Sequence, residues 1–517
     1  MNNKILRATS VLLLFSVLTK ISGFIRELVM AYYLGTSFVA DSYITATGMI
    51  ATIFSTITMA VGVAFLPALV KSKTEGKDIS ILTSNILNIV SLMIFGLSIV
   101  VCFFSQGIVQ LFAIGFKGQA LDTTVLIARI ILPAYFLYTW KILSNSYLQG
   151  EGIFFYNGAT TLAANIIIMG SFALWRGNTY ILGLGYVFSL ALPAIWGIYL
   201  IKRKGFRYTR QIAWREDSNR EIFKMAIPVF WGELVVQLNA LVDRNFASLL
   251  GEGMISSFQY ANKLSIFFLT FFVVSIATAA FPTLAEQSVD NGLHSFKRTA
   301  AKANNYILLL AVPISAAMAI LAKPIIKLVF ERGAFDAPAT ETTALVLAAY
   351  SLGIVGQSLS EIPNRQFYAL GDSKSAVVCN IIGIITNIML NLIFIKPLGY
   401  IGLALATSVA NNIRCAALLY SLHRKIGHIG AKHLLGNLAK MIAASGLMAA
   451  IVLILNRSLV LVLPAGNMGI LLLLLIDGAV GAGIYFAALK VFKVEELAEA
   501  ELIVKSYLKK LVGKQTA

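Results

Sequence analysis

Charged side chains recur inside strongly apolar stretches of this 517-residue chain. The first stretch holds Lys20, Arg26 and Glu27, and the second holds Asp41. Later stretches hold Glu233, Asp243 and Arg244, then Lys263, then Glu361 and Arg365. A charge at the centre of a bilayer helix costs about 2.5–3.5 kcal/mol on insertion scales, so each needs a partner or a task. Lys20 and Glu27 lie seven apart, two helical turns along one face, and Arg26 is one residue off it. Internal pairing is one account: Arg26 with Asp41 or Glu27, Arg244 with Asp243. Lys20, Arg26 and Lys263 ask for more, because equivalent early stretches of the two halves bring cations toward one central space. A cationic cavity takes an anionic substrate. A diphosphate suits it, since several Lys and Arg can share its spread charge.

A second constellation is mostly uncharged. Asn387 and Asn391 are four apart on one helical face, Thr407 follows on the next stretch, and Asp243 lies on the seventh. Oxygen ligands with a single carboxylate suit a hard monovalent cation such as Na+. From spacing alone, interhelical hydrogen bonding among Asn and Thr is the simpler account. Catalytic patterns are missing. The four histidines, His294, His423, His428 and His433, sit in or beside basic loops. No HExxH, GxSxG or GxxxxGK[ST] occurs. Cys102, Cys379 and Cys415 all fall in apolar segments, which excludes a disulfide framework and a CxxC metal site.

The elements that must position these residues are membrane helices. The chain is 58% hydrophobic and only 13% charged, about half the charge of a soluble domain. Apolar runs of about 20 residues recur from end to end, giving about fourteen spans. The first covers 8–34, and two late ones cover 375–395 and 399–422. Lys4 and Arg7 precede the first run like a signal peptide, but no small-x-small cleavage site follows and Lys20 interrupts it, so it reads as an uncleaved helix. The net charge of +18 has a topological explanation rather than a nucleic-acid one. Alternate loops carry about 24 against about 5 basic residues, which the positive-inside rule reads as both termini cytoplasmic. The stretch from Val491 to Val512 is amphipathic, with Lys505, Lys509 and Lys510; it reads equally as a helix on the cytoplasmic leaflet or a solvated one.

The two halves echo each other at an offset of about 215–221 residues. Ala64-Phe65-Leu66-Pro67 matches Ala279-Ala280-Phe281-Pro282, and Ala134-Tyr135 matches Ala349-Tyr350. Both repeats hold six spans and start on the same side, so they run parallel, an arrangement found in transporters. The expected fold is all-α and integral to the membrane: an N-lobe over 1–220, a C-lobe over 221–434, a further helix pair over 435–489 and a cytoplasmic tail over 490–517.

Particular motifs carry a family resemblance. Ser22-Gly23-Phe24-Ile25-Arg26-Glu27, Gly35 and Ala40-Asp41-Ser42-Tyr43 resemble the opening signature of the MurJ (MviN) lipid II flippases. Leu241-Val242-Asp243-Arg244, Tyr260-Ala261-Asn262-Lys263-Leu264 and Phe330-Glu331-Arg332-Gly333-Ala334-Phe335-Asp336 resemble later signatures of that family, as does Phe367-Tyr368-Ala369-Leu370-Gly371-Asp372. The resemblance covers nearly the whole chain and extends to the wider superfamily of multidrug, oligosaccharidyl-lipid and polysaccharide exporters.

It implies a substrate, undecaprenyl-diphosphate bearing a peptidoglycan precursor, and two lobes that alternate between inward- and outward-open states. It implies a lipid groove made by the last two helices, a bacterial cytoplasmic membrane location and contact with membrane lipids. It implies substrate-binding roles for Lys20, Arg26, Glu27, Asp41, Arg244 and Lys263, and a sodium site at Asp243, Asn387, Asn391 and Thr407. No other cofactor and no nucleic acid partner is expected, and a monomer is favoured. One departure stands out: around Ala51-Thr52-Ile53-Phe54, where many members carry a further arginine, this chain has none, which leaves a related lipid-linked glycan open as the cargo. A drug or cation antiporter would want an acidic cavity. A glycosyltransferase would want a large outer loop, whereas the longest outer loops are read around Gln106–Asp122 and Val329–Thr340. A passive scaffold would leave the buried charges without a purpose.

Overall fold

Long apolar runs without competing polar partners form helices in lipid, because every backbone N–H and C=O must be satisfied within its own segment. A computed structural model describes residues 2–213, 217–289 and 293–499, and every regular element among them is a helix. Most of the expected amphipathic tail, from residue 500 on, and Arg215 lie outside the described residues.

The chain packs as two units. The first comprises Met1–Ser257 and Arg332–Ala339. It contains α1 (Asn2–Leu34), α2 (Phe38–Ile50), a π-helical turn (Ala51–Ser55), α3 (Thr56–Thr74), α4 (Ile79–Phe103) and α5 (Ser105–Phe112). It continues through α6 (Gly118–Gly150), α7 (Phe155–Leu174), α8 (Thr179–Arg203) and α9 (Asp217–Ser248) to the start of α10 (Met254–Gln287). Helix α6 is its hub and packs on α2, α3, α4, α5 and α8, while α1 packs on α7 and α9 on α3. Small residues allow these approaches, as membrane helices require. A Cβ on Gly158 of α7 would sit 2.4 Å from Phe15 of α1, and one on Gly183 of α8 would sit 2.8 Å from Ile130 of α6.

The second unit comprises Phe258–Glu331 and Thr340–Ala517. It holds the rest of α10, then α11 (His294–Ile320), α12 (Ala322–Phe330), all but the first three residues of α13 (Ala337–Leu359), α14 (Glu361–Ala369), α15 (Ser373–Ile426), α16 (Ala431–Val462) and α17 (Asn467–Val491). Its main apolar core joins α11, α16 and α17 through Leu308, Met441, Met448, Tyr485 and Leu489. Cys102, Cys379 and Cys415 are all free.

Among the described residues, eleven helices are long and apolar enough to cross a membrane, or twelve when α10, bent by 47°, is counted as one span. This is below the expected fourteen, and two helices account for the difference. Helix α1 has 33 residues but is not among those counted. Helix α15 has 54 residues, about 80 Å at the usual rise, against a bilayer core of about 30 Å. It is broken at Gly399, whose φ of 55° and ψ of −132° are non-helical. Only glycine enters that region without strain, so Pro397 and Gly399 together end one helix and start the next. The break matches the expected boundary between 375–395 and 399–422.

The stretch read as an outer loop from Gln106 begins with a helix instead. Helix α5 occupies Ser105–Phe112, and α12 occupies Ala322–Phe330, 217 residues further on. Each follows a long helix after a kink of nearly the same geometry, at Phe104 (φ −95°, ψ 16°) and Leu321 (φ −102°, ψ 14°). The two short helices thus fall within the 215–221 offset of the repeat.

Candidate functional site

Helix α1 turns a half-buried face toward α7. Arg26 lies on it with its side chain 30% exposed, and Glu27 beside it is 4% exposed. The guanidinium donates through Nη2 to Glu27 Oε1 at 2.8 Å and through Nη1 to Asn165 Oδ1 of α7 at 3.1 Å. Asn165 in turn donates through Nδ2 to Ser22 Oγ at 2.8 Å. Of the two expected pairings for Arg26, the structure forms the one with Glu27. The clamp holds two of the five guanidinium donors on one edge and leaves the rest of a partly exposed cation available. Lys20, two turns back, is exposed.

Asp41 is placed differently. It is 1% exposed, and its two oxygens accept the backbone N–H groups of Gly253 and Ser256 at 2.7 Å each. It caps the N-terminus of α10, satisfying donors that no helix can satisfy itself. The arrangement is reciprocal: Glu252, just before α10, accepts the N–H of Phe38 at the start of α2 at 2.9 Å. In this conformation both Asp41 oxygens are occupied by backbone.

Arg244 of α9 lies over α2. A Cβ on Gly48 would sit 2.5 Å from its Nη2, so the glycine makes room for the guanidinium. The segment Gly333–Asp336 closes against the end of α1, where Ala334 donates to Tyr32 O at 2.8 Å. Gly333 (φ 62°) faces Tyr32 O, and Gly35 (φ 58°) faces Ala334 O. A Cβ on either would lie 2.3 Å from that oxygen. Two motifs that are 298 residues apart in the sequence therefore interlock through their glycines.

Within the second unit, Lys263 of α10 is half-buried and forms no ion pair among the described residues. Arg365 donates to Thr278 Oγ1 at 3.1 Å, with its guanidinium 5.9 Å from the Phe281 ring centre. Three of the four residues expected to bind sodium come together. Asn391 donates to Asn387 Oδ1, and Asn387 donates to Thr407 Oγ1, both at 3.1 Å. Thr407 donates its own hydroxyl to Leu403 O at 3.2 Å. As arranged, the oxygens of Asn387 and Thr407 each accept one N–H and each keeps a second lone pair.

Sequence reasoning passed over Lys141. It lies in α6, is 8% exposed, and its ammonium sits 5.7 Å from the ring centre of Tyr138. No acidic partner is paired with it among the described residues. An aromatic and hydroxyl seam extends from it: Tyr138 packs on Tyr135 at 5.4 Å, and Tyr135 shares a 3.1 Å hydrogen bond with Tyr186 of α8. Tyr135 also packs 5.4 Å from Phe54 of the π-helical turn. Such turns are rare and concentrate at functional sites. A charge inside the 123–148 apolar run was the available signal.

The model of the family described as "Lipid II flippase MurJ" matches residues 30–475. A curated relative from Vibrio cholerae serotype O1, a probable lipid II flippase MurJ, is 25% identical over 445 residues, covering 82% of this chain and 83% of the relative. A solved structure of a lipid II flippase MurJ in an inward closed conformation superposes with a TM-score of 0.78 at 25% identity, covering 93% of this chain and 98% of that one. An inward-facing multidrug transporter of the MATE family and the MOP superfamily shares the fold, with a TM-score of 0.65 at 14% identity over 80% of this chain and 96% of that one. With the family model matched over most of its length, this chain belongs to the MurJ lipid II flippase family.

Proposed function

We propose that the chain moves lipid II, the undecaprenyl-diphosphate-linked peptidoglycan precursor, from the inner to the outer leaflet of the bacterial cytoplasmic membrane. The observation that carries this reading is the family match over residues 30–475. In it, the diphosphate charge is met by Lys20 and Arg26 of α1 and by Lys263 of α10, with Glu27 and Asn165 keeping Arg26 in place. Lys141 adds a buried cation to the first unit. Arg244 shapes the wall around Gly48. Asp41 acts in this conformation as a helix cap, and substrate contact by it belongs to another state.

Both termini face the cytoplasm in this reading, since that side collects the basic loops. The transporter works as a monomer by alternating access and carries out no covalent chemistry. A sodium ion at Asp243, Asn387, Asn391 and Thr407 would bias one conformation, because oxygen donors suit a hard cation. Sodium then raises the unfolding temperature over potassium at equal ionic strength, and Asn387→Leu removes that difference.

The decisive experiment is depletion and rescue. A strain depleted of its essential lipid II flippase should survive on this chain, with lipid II reaching the outer leaflet. Arg26→Ala and Lys263→Ala should each abolish rescue while leaving membrane insertion intact. Failure of the parent chain to rescue, with another polyprenyl-diphosphate glycan translocated instead, would shift the cargo to the glycan that the absent second-helix arginine leaves open. Normal rescue by both variants would overturn the cationic reading of the site.

A further inference from the structure

A cavity of about 240 Å³ opens at the His294 end of the second unit, between α11, α14, α15 and the start of α16. Lys297, Ala300, Ala301 and Asn304 line one wall at helical spacing, so it follows α11 for two turns, about 10 Å. The mouth is basic. Lys297 and His433 line it, and Lys297 Nζ reaches over the turn that follows α15, 3.9 Å from where a Cβ on Gly427 would be. Lys297 forms no ion pair among the described residues.

The deep end is made of amides. Asn304 is 5% exposed, and Asn305 and Gln366 are 2% exposed. Asn305 donates through Nδ2 to Glu496 Oε1 at 2.5 Å. Glu496 also accepts from Asn437. A carboxylate of this kind can only accept, so chemistry fixes which end of the Asn305 amide faces it. The other end, Oδ1, has no donor, and neither has Asn304 Oδ1. A buried carbonyl oxygen without a donor costs about 1–3 kcal/mol. Two of them beside one cavity call for hydroxyl groups, while the ammonium at the mouth calls for an anion.

A simple anion would leave the deep oxygens bare, and a neutral sugar would leave the lysine bare. We propose that this cavity binds the phosphate ester of a small polyol, with hydroxyls on Asn304 and Asn305 and phosphate on Lys297 and His433. The ligand comes either from an anionic phospholipid headgroup, such as phosphatidylglycerol, or from a free polyol phosphate. The site is separate from the residues assigned to the transported lipid.

The test uses the full-length protein in phosphatidylcholine nanodiscs, with or without phosphatidylglycerol, and with glycerol 3-phosphate or inorganic phosphate added. Thermal unfolding and native mass spectrometry report binding. Stabilisation and a retained phosphatidylglycerol, without a response to glycerol 3-phosphate, assign the headgroup as the source; a response to glycerol 3-phosphate alone assigns the free ester. In either case Lys297→Met should weaken binding by about tenfold or more, as expected for loss of a charged hydrogen bond, without changing the unfolding temperature of the ligand-free protein. Ala301→Phe should abolish binding by filling the cavity. The proposal is overturned if neither probe binds, if inorganic phosphate binds as tightly as glycerol 3-phosphate, or if binding survives both substitutions.

Discussion

Replacing Asp41 with alanine removes both acceptors from the start of α10. The Gly253 and Ser256 amides it serves are buried and bonded at 2.7 Å. Leaving a buried donor unpaired costs about 1–3 kcal/mol, and a carboxylate at a helix N-terminus gains a further 0.3–1 kcal/mol or so from the helix dipole. Two donors set a range of about 2–7 kcal/mol. Water reaching the vacated space offsets part of it, so about 3 kcal/mol is the working figure. Asp41→Asn keeps one acceptor, turns an NH2 toward the other amide and loses the charge, which sets its cost near half as much, about 1.5 kcal/mol. Membrane-protein unfolding is commonly irreversible, so the assay ranks unfolding temperatures at one scan rate in one detergent. Alanine should lower the midpoint by several degrees, and asparagine by about half of that. Glu252→Gln should do almost nothing, because its bond to Phe38 is exposed. The capping argument fails if the alanine variant unfolds with the parent, or if asparagine is as damaging as alanine.

Glu496→Ala strips the acceptor from Asn305 and Asn437; with two buried amide donors deprived of their carboxylate, it should cost about 3 kcal/mol and speed proteolysis after α17. Lys141→Met keeps the side-chain length and removes a buried charge without an ion pair, so the unfolding temperature should hold or rise, while lipid II translocation should fall; unchanged translocation would make Lys141 a packing residue. Asp372, which caps α15, is held down to about 2 by Lys425 and by Ser375. Its folded pKa lies below its unfolded value of about 4, so its contribution is complete above pH 4 and lost as pH falls toward 2. Asp372→Asn should flatten the acid limb of the stability curve between those values, read as the acid-unfolding midpoint.

Most of the helices were legible because apolar length alone specifies a helix in lipid, and the break at Gly399 was legible because proline and glycine punctuate it. Helices α5 and α12 were not. Eight or nine residues carry too little periodicity to stand out from a loop, and each is defined by a kink and by packing on neighbours. The π-helical turn at Ala51–Ser55 has no composition signal either. The Arg26–Glu27 pair could be read from adjacency. The third member of its clamp, Asn165, could not, since it lies 139 residues away. Asp41 shows the same limit more sharply. An intramembrane carboxylate reads as a ligand for something mobile, yet its partners are backbone amides more than 210 residues further on, and no local pattern announces them. Lys141 was overlooked for a different reason: no charged residue is close to it in sequence, Arg129 of the same span lying twelve positions back.

The interlocked glycines at positions 35 and 333 also bear on how the molecule can be cut. The chain leaves the first unit at Ser257, returns to it at Arg332 and departs again after Ala339. A severed N-terminal half ending at residue 257 would keep the amides that Asp41 caps. It would lack the Arg332–Ala339 strap and expose the Tyr32 carbonyl that the strap covers. Two separately expressed halves cut there would therefore have to find each other by threading one loop back onto a foreign fragment. A split placed after Ala339 instead would leave the strap covalently joined to the α1 end it clasps, but would divide the second unit between Phe258–Glu331 and the chain from Thr340 on, so each cut separates segments that pack together.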